Sequence, residues 1–228
     1  MKDKIKHIFF DLDHTLWDFD KNSKLAFELM FKKFEIPIGL EEFLKVYEPI
    51  NMRFWKLFRD EQVSKLDLRR GRLIEAFKYF DVSYSVDHID QLSEDYIDFL
   101  PLNNFLIAGT MEILKYLEPV YELHIITNGF QKVQHKKIVA SRIDTYFKTI
   151  TSSEEVGVKK PNALIFNQAL KKAEAAPEES LMIGDNFEAD IMGAHDLGIK
   201  TIYFNYHQEE IPAKFLQVSG LNELKKYL

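Results

Sequence analysis

The apolar positions change their period along the chain, and that change divides it. Ile5 to Phe10 is a short apolar run ending in aspartates, which predicts a buried strand feeding a loop. From about residue 22 to 100 the period becomes helical. Phe43, Val46, Tyr47, Ile50, Phe54, Leu57 and Phe58 follow the i, i+3, i+4, i+7 spacing of one helix face. Phe27, Met30, Phe31 and Phe34 form a shorter stripe before it, and Leu66, Leu73, Phe77, Phe80 and then Ile89, Leu92, Tyr96, Phe99 predict two more helices. No strand pattern interrupts this stretch, so it reads as a small helical bundle.

After Pro101 the pattern alternates. A helix near Met111 to Leu117 precedes a strand Tyr121 to Ile126 and a helix around Lys132 to Ala140. A short strand Lys148 to Thr151 leads to a helix Asn162 to Ala175 and a strand Leu181 to Ile183. A helix Glu188 to Leu197, a strand Lys200 to Phe204 and a helix from Leu221 complete the series. Strands alternating with helices at this spacing build a parallel sheet covered on both faces. The expected fold is α/β, a Rossmann-like core of residues 1–16 and 101–228 with an all-helical cap, residues 17–100, inserted after the first strand.

Ligands of open parallel sheets sit beyond the carboxyl ends of the strands, and the chemically capable residues fall there. Asp11, Asp13 and Thr15 follow the first strand; Thr127, Asn128 and Gly129 follow the second; Asp185 and Asp190 follow the strand ending in LMIG. Lys160 stands just before Pro161, read as the first position of a helix. Clustered carboxylates repel one another unless a cation joins them, and hard oxygen ligands select Mg²⁺ or Ca²⁺. Asp11 and Asp185 are the expected direct ligands. The free oxygen of Asp11 would attack phosphorus in line, and Asp13 would serve as general acid and base. Thr127, Asn128 and nearby backbone N–H groups would hold phosphoryl oxygens, and Lys160 would offset transition-state charge. Asp190 is expected to orient Lys160 or a metal-bound water.

Each motif alone has an ordinary reading. Asp is common in loops and caps, Asn-Gly in turns, and a lysine before proline is mostly a solvated charge. No ordinary reading explains all four together, in order, at element ends. The seven histidines show no ligand spacing: His124 is expected to pack within its strand and His14 to sit exposed. The stripe of residues 43 to 58 reads as core, with Phe54 and Trp55 kept as candidate substrate contacts of the cap. Arg69, Arg70 and Arg72 read as a solvated face.

Composition narrows the classes. A net charge of −6 argues against a nucleic-acid polymer as partner, which needs clustered Lys and Arg, but leaves a small anion possible. The absence of cysteine removes disulfides, thiolate metal sites and Cys nucleophiles, and suits a cytoplasmic location. No segment has the length of a signal h-region or a membrane span.

The chain resembles the haloacid dehalogenase-like hydrolase superfamily. DLDHT is similar to its first motif, ITN to its second, Lys160 before Pro161 to its third and GDNFEAD to its fourth, over essentially the whole length. The resemblance implies a helical cap between the first two motifs, Asp11 as nucleophile, Asp13 as acid/base, and Mg²⁺ held by Asp11, the Asp13 carbonyl and Asp185. SEEVGVKKPNALIF, ITNGF, INMRFW and LRRGR resemble segments of the YjjG-type pyrimidine 5′-nucleotidase group, which implies a small phosphorylated metabolite, a nucleoside monophosphate, as substrate. His14 stands where many members of the superfamily carry Gly. The rival expectations are a phosphomutase, a sugar-phosphate or phosphoglycolate phosphatase, a dehalogenase, and a non-catalytic binding protein.

Overall fold

The computed structural model describes residues 4–228. Strand β1 (His7–Phe10) is buried along its whole length. Four helices follow: α1 (Phe19–Phe34), α2 (Leu40–Arg59), α3 (Lys65–Tyr79) and α4 (Val86–Phe99). The chain then alternates through α5 (Thr110–Leu117), β2 (Glu122–Thr127), α6 (Gln131–Ala140) and β3 (Phe147–Ser152). A single turn, α7 (Ser153–Val156), precedes α8 (Ala163–Lys172) and β4 (Ser180–Gly184). After a π-helical stretch, Phe187–Met192, come α9 (Gly193–His195), β5 (Lys200–Phe204) and β6 (Gln217–Val218).

The six strands form one parallel sheet in the order β3-β2-β1-β4-β5-β6. The order reverses beside β1, which pairs with β2 on one side and β4 on the other. Such a switch point opens a crevice at the strands' carboxyl ends. The register brings Phe10 level with both Ile125 and Ile183, so the loops after β1, β2 and β4 start within two residues of one height. Helices cover the sheet because its strands are apolar on both faces: Phe9, Ile126 and Met182 pack with Ile165, Phe166, Ala169 and Leu170 of α8. The fold is an α/β Rossmann-like core, as the alternating pattern predicts.

Two compact units emerge, one from the chain up to Phe19 together with Asn104–Leu228, the other from Asp20–Asn103. Where the core chain departs and returns, it is stitched to itself. The Asp18 N–H donates to the Phe105 carbonyl at 3.1 Å, and Ile107 N–H donates to Leu16 at 2.9 Å. The helical unit has an aromatic centre, with Phe27 4.6 Å from Tyr47 and 4.5 Å from Tyr96 between ring centroids. Burying one such side chain contributes about 2 kcal/mol, so the stripe of apolar positions holds the helices together. Ser64 starts α3 through a capping box with Asp67, which satisfies N–H groups that the first helical turn leaves open.

Four expectations need correction. Pro161 is not the first helical residue: α8 begins at Ala163, and the Asn162 side chain caps it by accepting the Leu164 N–H at 2.9 Å. The helix expected over Glu188–Leu197 is a π-helical segment followed by one short turn, and the expected C-terminal helix is a 3₁₀ helix, Leu221–Lys226. Two-residue β6 carries too little pattern to be seen in sequence. Arg72 is not solvated but 2% exposed, donating to Asn51 Oδ1 at 2.8 Å with its guanidinium carbon 5.3 Å from the Tyr96 ring centroid. Arg69 donates to Ser93 Oγ and Arg70 pairs with Asp90, so all three arginines tie helices together.

Candidate active site

β1 and β4 end side by side, and the residues that follow form a buried acidic group. Lys160 Nζ donates to Asp11 Oδ1 at 2.5 Å and to the Ile126 carbonyl at 2.7 Å, and lies 2.6 Å from Asp190 Oδ1. Asp185 Oδ1 accepts from Thr15 Oγ1 at 3.0 Å. Carboxylate oxygens of Asp11, Asp185 and Asp190 all lie within 4.8 Å of one another. The loops therefore bring together Asp11, Thr15, Lys160, Asp185 and Asp190, residues up to 179 positions apart in sequence (190 − 11).

The electrostatics follow from three carboxyl groups facing one ammonium out of water. Burial pushes the Asp11 carboxyl up to about 8; Lys160 opposes this, while the Asp190 and Asp185 charges reinforce it. Burial also raises Asp190. For Lys160 burial works toward loss of the proton, but Asp11 and Asp190 outweigh it and hold the group above its ordinary range. The cluster is thus short of positive charge. An all-oxygen donor set of this kind fits a hard divalent cation, and Asp11 with Asp185 could hold it while Lys160 keeps Asp190.

The surrounding loops fix this geometry. Asn128 clamps the lysine loop: its Nδ2 donates to the Lys160 carbonyl at 3.0 Å and its Oδ1 accepts the Lys160 N–H at 2.8 Å. Both polar atoms of that side chain are thereby engaged. Thr127 Oγ1 accepts from the Gly129 N–H at 3.1 Å and from Gln134 Nε2 at 2.8 Å, which leaves its own proton free to donate. Gly184 is required by close approach, since a Cβ there would stand 2.2 Å from Asp190 Oδ2. The Asn186 N–H donates to that same oxygen at 3.0 Å.

Asp13 is half-buried and held from α6. Lys137 Nζ donates to its Oδ1 at 2.7 Å and Gln134 Nε2 to its Oδ2 at 2.9 Å. Lys137 is 2% exposed, its ammonium 4.3 Å from the Trp17 ring centroid, and burial lowers its pKa against the pull of Asp13. Sequence reasoning passed over both residues. Only the fold shows that the buried face of α6 is Val133, Gln134, Lys137 and Ile138, a stripe in which polar side chains need partners.

His14 is half-buried rather than exposed. Its ring packs beside Phe19, Tyr206 and His207, and its Nδ1 stands 3.9 Å from Asp185 Oδ2. Its φ of 60° lies in the left-handed region that glycine adopts at no steric cost. His207 Nε2 approaches the same Asp185 oxygen at 3.5 Å. The histidines lack ligand spacing along the chain, yet the fold gathers His14 and His207 about Asp185, and His7 and His124 about Glu122. His124 also packs fully buried in its strand, as expected. Phe54 and Trp55 lie in the helical unit on α2, both half-buried. Phe54 fills the space over Gly71 of α3, and Trp55 meets Phe58 edge-on at 5.8 Å.

A parallel sheet bearing this acidic cluster at its switch point defines a class of α/β hydrolytic enzymes. Residues 8–204 match the family model of the haloacid dehalogenase-like hydrolases, and the chain belongs to that family. It is 32% identical to pyrimidine 5′-nucleotidase YjjG of Escherichia coli, over 97% of this chain and 96% of that one. It is 33% identical to a glyceraldehyde 3-phosphate phosphatase of Pyrococcus abyssi, over 89% and 82% of the two chains. The crystal structure of magnesium-bound YfnB from Bacillus subtilis superposes with a TM-score of 0.90 at 29% identity, covering 99% of both chains. No described helix is long and apolar enough to cross a membrane.

Proposed function

We propose that this enzyme is a Mg²⁺-dependent phosphatase that hydrolyses small phosphomonoesters, with nucleoside 5′-monophosphates as its substrates. The observation that carries the reading is the Asp11–Lys160–Asp190 constellation beside Asp185, at the carboxyl ends of β1 and β4. Asp11 and Asp185, with the Asp13 carbonyl, would hold the ion, which when bound neutralises the carboxylates and the substrate's phosphate charge.

The chain's own groups then divide the work. An Asp11 carboxylate oxygen attacks phosphorus and forms an acyl phosphate as the ester oxygen leaves. Asp13, protonated at that moment, gives its proton to the leaving alkoxide; as a carboxylate it next takes a proton from water, which attacks phosphorus and frees Asp11. Lys137 and Gln134 hold and orient the Asp13 carboxyl. Thr127 donates its hydroxyl proton to a phosphoryl oxygen, and the backbone N–H of Asn128 would serve the same task, while the Gly129 N–H holds Thr127 Oγ1. Lys160 balances the charge that gathers on the equatorial oxygens.

The nucleotide assignment rests on the likeness to YjjG, which extends over nearly all of both chains. A triose phosphate is the second reading, favoured by comparable identity to the glyceraldehyde 3-phosphate phosphatase. The lack of cysteine supports a cytoplasmic setting. Phosphate release should be screened over pyrimidine and purine nucleoside monophosphates, glyceraldehyde 3-phosphate, other sugar phosphates and phosphoglycolate. Asp11→Asn is expected to abolish Mg²⁺-dependent release from every ester while leaving the circular dichroism spectrum intact; turnover surviving in that variant would rule out the acyl-phosphate route. Recovery of a positional isomer instead of free phosphate would identify a mutase.

A further inference from the structure

His7, Glu122 and His124 gather at the amino ends of the two central strands, away from the catalytic loops. His7 opens β1, Glu122 opens β2, and the two pair in register; His124 lies two residues on, so strand alternation returns it to the same face. Asp11 lies four residue steps along the strand from His7, roughly 13 Å at the rise of an extended chain. His7 Nδ1 stands 3.2 Å from His124 Nε2 and 3.7 Å from Glu122 Oε2, and one ligating atom from each residue lies within 4.8 Å of the others.

We propose that these three side chains form a second metal site, one for a borderline divalent cation of the Zn²⁺ class bound by His7 Nδ1, His124 Nε2 and the Glu122 carboxylate, with a fourth position left to water. Two nitrogens and one oxygen are the donor set such ions take, in contrast to the all-oxygen set at Asp11 and Asp185. The edge of a tetrahedron with ~2.0 Å metal–nitrogen bonds is about 3.3 Å, close to the observed separation of the two imidazole nitrogens. Glu122 is exposed, so its carboxylate closes the remaining gap by a side-chain rotation and solvent reaches the fourth position.

The surroundings prepare His124 as a ligand. Thr149, its register partner on β3, lies 2.9 Å from Nδ1. Nδ1–H donating to Oγ1 leaves a lone pair on Nε2, the orienting contact typical of metal-bound histidine. The 3.2 Å contact between His7 Nδ1 and His124 Nε2 gives way to two metal bonds once His7 carries its proton on Nε2. An ion here would fasten β1 to β2 at the centre of the sheet.

The test uses the full chain in excess Mg²⁺, which fills the oxygen site, titrated with Co²⁺ and followed by visible absorption and by thermal midpoint. One Co²⁺ per chain is expected to bind with the intense bands of a four-coordinate N/O site and to raise the midpoint. Glu122→Gln, at an exposed position, and His7→Gln should each weaken binding at least tenfold, and Thr149→Val about tenfold. His207→Ala, which removes the imidazole beside Asp185, should leave the isotherm unchanged. Equal Co²⁺ binding by wild type, Glu122→Gln and His7→Gln overturns the site, as does loss of the bands in His207→Ala alone, which would put the ion at Asp185. Phosphatase activity enters neither outcome.

Discussion

Asp11 shows how burial and function pull on one residue. Its raised pKa means that the metal-free folded chain binds a proton that the unfolded chain, with a carboxyl near 3.8, releases. The unfolded state then binds fewer protons, so this group's contribution is most favourable below about pH 4 and is lost as pH rises toward 8. Metal binding has the opposite slope, because a ligand must be deprotonated. Mg²⁺ affinity should climb with pH up to about 8, with proton release at lower pH detectable by calorimetry in buffers of different ionisation enthalpy. Lys160→Met should destabilise the metal-free protein by about 3 kcal/mol at neutral pH, since the Asp190 carboxylate stays buried without its counter-charge. Urea unfolding at several pH values checks this, and the loss should shrink in acid as that carboxylate becomes neutral. The acidic residues were legible from the sequence because each follows a strand. Lys137, Gln134 and His207 were not, because nothing in their own segments announces what they meet.

Among the elements, β1 with its following loop was the easiest to foresee: a short apolar run ending in carboxylates admits few alternatives. The helices of the inserted unit were also visible as apolar stripes. What their periodicity could not tell was that Arg72 lies inside the stripe and not opposite it. LDLRRGR has three arginines in four positions, and at about 100° per residue they fan across about 160° of the helix, an arc that spacing alone assigns neither to solvent nor to the core. Tyr47, Tyr96 and Asn51 receive Arg72. Arg72→Ala should cost about 3 kcal/mol through the cavity and the hydrogen bond lost at Asn51 Oδ1, read as a lower urea midpoint. On α8 the helix begins two residues later than Pro161 implied, since Asn162 supplies the cap that proline cannot.

For the whole molecule, the consequential feature is a core sheet interrupted after its central strand. Trp17 bridges to Leu106 where the chain leaves and re-enters the core, and both ends carry their own backbone hydrogen bonds. From the core's side, Asp20–Asn103 is a long loop, and loop closure costs only about 0.6 kcal/mol per doubling of length. Replacing Asp20–Asn103 with a short Gly-Ser linker should therefore leave a core that unfolds cooperatively and keeps its Mg²⁺-dependent rise in thermal midpoint. A broad, non-cooperative melt would show that the core needs the inserted unit to fold.

The sequence by itself determined the class of fold and the candidate chemistry. Apolar period and strand-end residues are local properties, and a parallel sheet places strand ends together whatever the details. Only the tertiary structure decided which side chains meet: that Asn128 clamps the Lys160 backbone, that Lys137 and Gln134 hold Asp13, and that His7, Glu122 and His124 share a face. The physical reason is that these contacts join separate elements through register and packing, and their distances in space bear no relation to their spacing along the chain.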